Sequence, residues 1–301
     1  MAASNLVLVT GAGRVGRAIL EELRARDVPV RVMVRRDDER AADLRTRGAE
    51  VVVGDLTRPE TVAAALENVG RMYFAMPVSP DHLLAATVVA TVAREHGHLT
   101  GLVAMSQMTV SQMTATSTAE SHQQRLHWLA EQVLNWSGLP VVHVRPTVFL
   151  NNPLFTSLAA QSIKANGTIA LPFGTGRTSP VAVDDVARVA ATVLCDPAPH
   201  IGHIYELTGP RTVDMTELAQ EFSRALGREV TYVDVPPERW RTENLASVGL
   251  PPHVEEHIVT MARLHRENRY DRTSDDVQRV TGVPAQSIEA FVAARKDFYL
   301  G

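Results

Sequence analysis

Two short stretches of this chain carry residue types and spacings that could do chemistry. In "VTGAGRVG", Gly11, Gly13 and Gly16 form a G-x-G-x-x-G that directly follows an apolar run and opens an amphipathic one. In such a loop the first glycine permits a tight turn. The second lets a pyrophosphate approach the backbone, and the third lets helix and strand pack closely. The helix that begins there turns N–H groups and a positive dipole end towards a phosphate. The placement between a strand and a helix makes this a dinucleotide fingerprint rather than an ordinary turn. The second stretch is "ESHQQRLHWLAEQV", Glu120–Val133. Gln123, His127 and Glu131 recur every four residues, so a helix places them in one row. Leu126, Leu129, Ala130 and Val133 form the apolar stripe beside it. An imidazole exchanges its proton near neutrality, with an unperturbed pKa of about 6.5. Three roles stay open for His127: a half-buried histidine bonded to Glu131, a group that positions a ribose or substrate, and a proton donor.

Cofactor choice is written about 20 residues beyond the loop, where an NAD site places an acid for the ribose 2′-hydroxyl. This chain has "VMVRRDD" there. Arg35 and Arg36 suit a 2′-phosphate through charge-assisted bonds of roughly 1.5–3 kcal/mol each. NADP(H) is therefore expected over NAD(H). The preference weakens if Asp37 faces the ribose instead. The arginines also argue against a flavin dinucleotide, whose ribose carries no 2′-phosphate. In "VVGDLTRPE", Asp55 could accept from an adenine amino group or cap the helix that starts near Pro59. "FAMP", Phe74–Pro77, ends a strand on the same edge.

The elements that must position these groups alternate. Strand patterns at Leu6–Thr10, Val28–Val34, "AEVVVGD", "RMYFAM", Gly101–Ser106 and "LPVVHVRP" are separated by helical patterns, including Pro80–His96 and the Glu120–Val133 stretch. Strands separated by helices of this length pair in parallel through right-handed crossovers. The expectation is an α/β fold: a doubly wound parallel Rossmann-type sheet with a smaller, interleaved C-terminal substrate lobe. Residues 1–150 form the dinucleotide-binding domain, with 179–196 returning to it as a strand and helix. The lobe takes 151–178 and 197–301. It includes "IYELTG" and "VTYVDVP" as a small mixed region and a mostly helical tail.

Bulk properties narrow the function. The 301 residues carry a formal charge of -4, without the basic surplus of a general nucleic-acid binder. The single cysteine, Cys195, excludes an internal disulfide framework and suits a reducing compartment. No Cys/His cluster has metal-ligand spacing, so no metal is expected. The N-terminus has no secretion-signal pattern. No apolar run approaches the ~18 residues of a membrane span. A cytoplasmic protein without membrane contact is expected, as a monomer or a homodimer.

The residues "VTGAGRVG", "VRR", "GDL", "AEQVLNWSGLPVVHVRP", "SPVAVDDVARVAA" and "VTGVPAQSIEAFV" together resemble the short-chain dehydrogenase/reductase superfamily, in its atypical NmrA-like branch. That branch includes flavin-free NAD(P)H:quinone reductases and redox-sensing regulators. The resemblance spans nearly the whole chain. Many members read G-x-x-G-x-x-G; this loop is one residue shorter. Orthodox members of the superfamily carry Y-x-x-x-K on the helix before the sixth strand, the tyrosine as proton donor and the lysine on the nicotinamide ribose. Anchored on "AEQVLNWSGL", those positions hold Gln123 and His127, and "AMSQMT" supplies Ser106 and Gln107 where the family has its serine. The resemblance implies a cofactor set of Gly11, Ala12, Gly13, Arg14, Val15, Gly16, Arg35, Arg36, Asp55, Leu56, Ala75, Met76, Pro77, Ser106 and His127. His127, Gln123 and Ser106 are the catalytic candidates. Gln107, Met108, Met113, Phe149, Asn151, Asn152 and Phe155 are the substrate candidates.

The functional expectation is a flavin-free, NADPH-dependent oxidoreductase. Hydride would pass directly to a quinone-like or other conjugated acceptor, whose delocalised charge needs less help from a positioned acid. The alternative is a non-catalytic NADP(H) sensor that contacts a regulatory protein. A nucleotide-sugar epimerase ranks last, because it needs the missing tyrosine as its base.

Overall fold

The computed structural model describes residues 5–301, apart from the Ser247 side chain. A seven-stranded sheet runs in the order β3-β2-β1-β4-β5-β6-β8. Its first strands are β1 (Val7–Thr10), β2 (Val30–Val34), β3 (Glu50–Val53) and β4 (Arg71–Phe74). They are followed by β5 (Gly101–Met105) and β6 (Val141–Pro146), and after the strand β7 (Thr168–Leu171) by β8 (Ile204–Leu207). The pairings β1 with β2 and β4, and β4 with β5, are parallel, as are those of β2 with β3 and β5 with β6. β8 stays in step with β6, since His143 N–H donates to His203 O and Thr147 N–H to Leu207 O. This is the doubly wound α/β sheet expected. The chain reverses its winding between β1 and β4, and ligands of such sheets bind beyond the strand ends at that point.

The strand sequences explain the layering. All four residues of β1, "VLVT", are buried, as a strand covered by helices on both faces must be. Edge strand β3 is half-exposed throughout. Two charges sit inside buried strands, and both are hydrogen-bonded. Arg31 donates to Glu50 and to the carbonyls of Ala65 and Glu67. Arg71 donates to the carbonyls of Leu194, Cys195 and Asn5. The helices are α1 (Arg14–Arg24), α2 (Glu39–Thr46), α3 (Pro59–Leu66), α4 (His82–His96) and α5 (His122–Trp136). They start and stop on chemistry visible in the chain. Asp38 caps α2 by accepting from the N–H groups of Arg40 and Ala41, and Gly97 ends α4 at φ 70°. Leu8, Leu66, Met72, Phe74, Leu102 and Leu134 belong to one apolar core.

Two compact units emerge. The first takes the chain to Met113, then His122–Arg145 and Val186–Tyr205. The second takes Thr114–Ser121, Pro146–Asp185 and Glu206–Gly301. Its core gathers Phe155, Phe173, Phe222, Trp240, Phe291 and Tyr299 around α6 (Ser157–Asn166) and α8 (Met215–Leu226). The pair β7–β9 (Thr231–Asp234) is parallel.

The boundaries differ from the sequence expectation: residues 146–150 and 179–185 belong to the second unit and 197–205 to the first. "IYELTG" supplies β8, Ile204–Leu207, as the outer strand of the main sheet, and the unit boundary falls within it, after Tyr205. In "SPVAVDDVARVAATVL" the helix forms as α7 (Val183–Cys195), but Val181 makes only an isolated bridge to Phe149 in place of a strand. Residues 114–121 join the second unit. Glu120 pairs with Arg269 at 2.9 Å, Ser121 Oγ lies 2.8 Å from His257 Nδ1, and Arg263 donates to Ala119 O. Such polar anchors leave no periodicity to read. Among the described residues no helix is long and apolar enough to cross a membrane.

Candidate functional site

The glycine loop joins β1 to α1, and its three glycines have distinct reasons. Gly11 adopts φ +80°, a region that L side chains rarely enter, and a Cβ there would lie 3.1 Å from Ala75 O. A Cβ on Gly16 would lie 2.0 Å from Gly11 O, so only glycine lets the helix close onto its own loop. Gly13 is different. Its φ of −78° is ordinary, and a Cβ would meet nothing within 4 Å. Neither backbone conformation nor packing demands that glycine, and the space above it is open. The first turn of α1 contains no acidic residue to oppose an anion. Ala12 and Val15 are half-buried and Arg14 is exposed on this loop.

Arg35 and Arg36 follow β2 directly, and both are exposed. Arg35 Nη2 donates to Asp55 Oδ2 at 3.1 Å. Asp37 is held elsewhere, since Arg45 grips both its oxygens at 2.7 and 2.9 Å. That bond holds the Asp37 carboxyl below its ordinary range. Asp55 Oδ1 accepts from both the N–H and the hydroxyl of Thr57, at 2.9 and 2.8 Å. These bonds, with Arg35, pull its pKa down to about 2, so it is a carboxylate at any working pH. Asp55 thus organises the turn into α3, but the N-cap of α3 is Arg58. Leu56 is half-buried beside it.

Thr10, at the end of β1, ties two strand ends together. Its hydroxyl lies 2.9 Å from both the carbonyl and the N–H of Ala75, just beyond β4. Ala75 and Met76 are half-buried and Pro77 is exposed. Beyond β5, the buried Ser106 hydroxyl has no hydrogen-bond partner among the described residues. A buried polar group left unmatched costs about 1–3 kcal/mol unless something else meets it.

On α5 the row Gln123, His127, Glu131 is not a solvated flank. Gln123 and Glu131 are buried, and His127 is half-buried. Gln123 Oε1 accepts from Ser79 N–H at 3.1 Å, in the turn between β4 and α4. Glu131 takes Arg145 on both oxygens, at 2.9 and 2.5 Å, so its carboxylate is committed to that ion pair. The His127 ring lies 4.0 Å, centroid to centroid, from the ring of His82. Gln124 Nε2 donates to Thr109 Oγ1 at 2.7 Å, which joins α5 to the turn after Gln107.

The substrate candidates fall in both units. Gln107 is half-buried, while Met108 and Met113 are buried in the first. Phe149 is half-buried in the second. Asn151 Oδ1 accepts from Val183 N–H at the start of α7, and Asn152 Oδ1 accepts from Leu154 N–H. Phe155 has no exposed surface and lies in the core of the second unit, edge-on to Phe173, so it is a packing residue rather than a pocket wall. Thr10, Ser79 and His82 were not singled out from the sequence. A strand-ending threonine before the loop was the one readable signal. The other two act across long sequence separations.

The chain matches the model of the NmrA-like family over residues 3–294. It is 28% identical over 291 residues to an NAD(P)H azoreductase of Xenophilus azovorans, covering 96% of this chain and 97% of that protein. It is 29% identical over 297 residues to a (4-alkanoyl-5-oxo-2,5-dihydrofuran-3-yl)methyl phosphate reductase of Streptomyces griseus, covering 98% and 99%. Among solved structures, an NADPH-dependent quinone oxidoreductase of Escherichia coli, complexed with NADPH, superposes with a TM-score of 0.82 at 22% identity, covering 96% of this chain and 99% of that one. The negative transcriptional regulator NmrA in complex with NADP superposes with a TM-score of 0.81 at 18% identity, covering 97% and 95%. The glycine loop on a doubly wound sheet and the near end-to-end family match agree: the chain belongs to the NmrA-like family.

Proposed function

We propose that the protein is an NADPH-dependent oxidoreductase that works without flavin on a quinone-like or other conjugated small molecule. The observation that carries the reading is the Gly13 position, where neither the backbone angle nor a neighbouring atom calls for glycine and the space above stays open. A pyrophosphate at the N-terminus of α1 fits that space. Arg35 and Arg36 fit a 2′-phosphate at the end of β2. Ser106, with its unmatched buried hydroxyl, and His127 fit the nicotinamide ribose side. The relatives named for azo-compound, quinone and unsaturated-ring reduction support a reductase.

The nicotinamide, when bound, supplies a hydride to the acceptor. The chain's own residues do the rest. The loop and the arginines bind and orient the dinucleotide. Gln123 fixes the turn after β4 through Ser79. His127, at the position where orthodox relatives carry lysine, holds the ribose or the acceptor, and as an imidazolium it can supply the proton that completes a two-electron reduction. Gln123 stands where those relatives carry tyrosine and cannot donate a proton as an acid.

That same replacement favours a second reading, a cofactor sensor without turnover. Calorimetric titration of the flavin-free protein with NADPH and NADH tests the part common to both. Saturable binding of NADPH is expected, and no binding of either nucleotide would end both readings.

A further inference from the structure

We propose that His82 is a positioning residue whose flat ring holds the His127 imidazole in its working orientation. This rests on the reading of His127 as a ribose- or acceptor-facing group. His82 opens α4 and is 1% exposed. Its ring lies 4.0 Å from that of His127 at an interplanar angle of 45°. It also meets the ring of Phe74, the last residue of β4, with centroids 5.9 Å apart and planes tilted by 46°. The three rings therefore run in series from the end of a central strand to the middle of α5. The same turn also holds α5 one helical turn earlier, where Ser79 N–H donates to Gln123, and His82 N–H returns to Ser79 O at 3.2 Å. Two successive residues of one row are thus fixed by one short segment of chain.

The chemistry of His82 fits a plate rather than a proton carrier. Among the described residues its buried Nδ1 has no hydrogen-bond partner, so that atom gains nothing from being nitrogen. Burial pushes its pKa from 6.5 down to about 4. At neutral pH it places no second charge against His127. An imidazole on α5 has a rotatable ring, and a packed neighbour limits that rotation to the face left open.

The test uses two apolar replacements in the whole protein, His82→Phe and His82→Leu. Phenylalanine keeps a flat ring and leucine does not. The expected result is near-normal turnover for His82→Phe. For His82→Leu, kcat/KM for the acceptor should fall roughly ten-fold, with NADPH affinity and melting temperature kept. In a His127→Ala background, His82→Leu should cost nothing further, because there is no ring left to hold. Nuclear magnetic resonance of the His127 Cε1–H adds a readout independent of catalysis: its signal should move in the leucine variant and hold in the phenylalanine variant. If that signal moves as expected while no acceptor is turned over by any form, the positioning role stands and the reductase reading falls. If His82→Leu leaves both the His127 signal and turnover at their original values, or if its cost persists in full without His127, the proposal is overturned.

Discussion

The guanidinium of Arg35 reaches from the end of β2 to Asp55, beyond β3, and donates to its carboxylate at 3.1 Å. The Arg35 side chain is 77% exposed, so this is a surface ion pair, worth about 0–1 kcal/mol. A phosphate dianion binds arginine more strongly than such a partner does. The pair parks the guanidinium at the strand ends without locking it. Asp37, the residue that could have favoured an unphosphorylated ribose, is gripped by Arg45. NADPH should therefore bind at least about ten-fold tighter than NADH. Arg35→Ala should remove most of that gap and hardly change NADH. Equal affinities for the two nucleotides in the unmodified protein, measured by calorimetry, would sink the arginine argument.

The glycine loop yields a paired prediction. Gly13→Val should still fold, losing no more than about 1 kcal/mol from the poorer N-cap, because a Cβ there meets nothing within 4 Å. It should lose both nucleotides, because the side chain takes the pyrophosphate's space. Gly16→Ala should behave in the opposite order. Its Cβ would press on Gly11 O at 2.0 Å, so the melting temperature should drop by the equivalent of about 1–3 kcal/mol. Thermal melts and nucleotide titrations of both variants separate the roles. Normal NADPH binding by Gly13→Val would make the loop a structural turn only.

His127→Ala distinguishes what the histidine does. Loss of a positioning group should raise the apparent KM or lower turnover with little change in melting temperature. Loss of a proton donor should lower turnover by roughly 10²-fold or more. In that case the rate of the unmodified protein should fall as pH rises through the histidine pKa, since only the imidazolium gives up the proton. Normal kinetics in the variant would leave His127 with no part in the reaction.

Acid stability follows from buried histidines. Burial lowers His82, His257 and His265 from 6.5 to about 4 in the folded protein. Between those values the unfolded chain binds the extra protons. The stability these groups protect is complete above pH 6.5 and is lost as pH falls towards 4. The loss should be about 1.4 kcal/mol per pH unit for each histidine. His265 is stacked between Phe173 and Tyr270, at 4.3 and 3.8 Å, so His265→Phe keeps the stack. Denaturant melts from pH 7 to pH 5 should show a shallower acid slope in that variant. An unchanged slope would place the titration elsewhere.

The sheet was legible because buried strands such as "VLVT" carry apolar runs and the helices between them carry caps and closing glycines. The dinucleotide loop was legible because its glycines sit between the two. The interleaving of the units was not. Residues 114–121 join the second unit through Glu120–Arg269 and Ser121–His257, contacts between residues far apart in the chain. The pattern of α5 showed that Gln123, His127 and Glu131 share a row. It could not show that their partners are Ser79, His82 and Arg145, each on a different element. Phe155 looked like a pocket residue by type alone, and burial places it in the core.

The most direct measurement is NADPH oxidation by the flavin-free protein against a panel of quinones, enones, imines and azo dyes, with the reduced product identified. Enzyme-dependent consumption of NADPH, matched mole for mole by reduced acceptor and lost in Gly13→Val, is the result expected of a reductase. Saturable NADPH binding with no consumption against any member of the panel would contradict it and leave a cofactor sensor in its place.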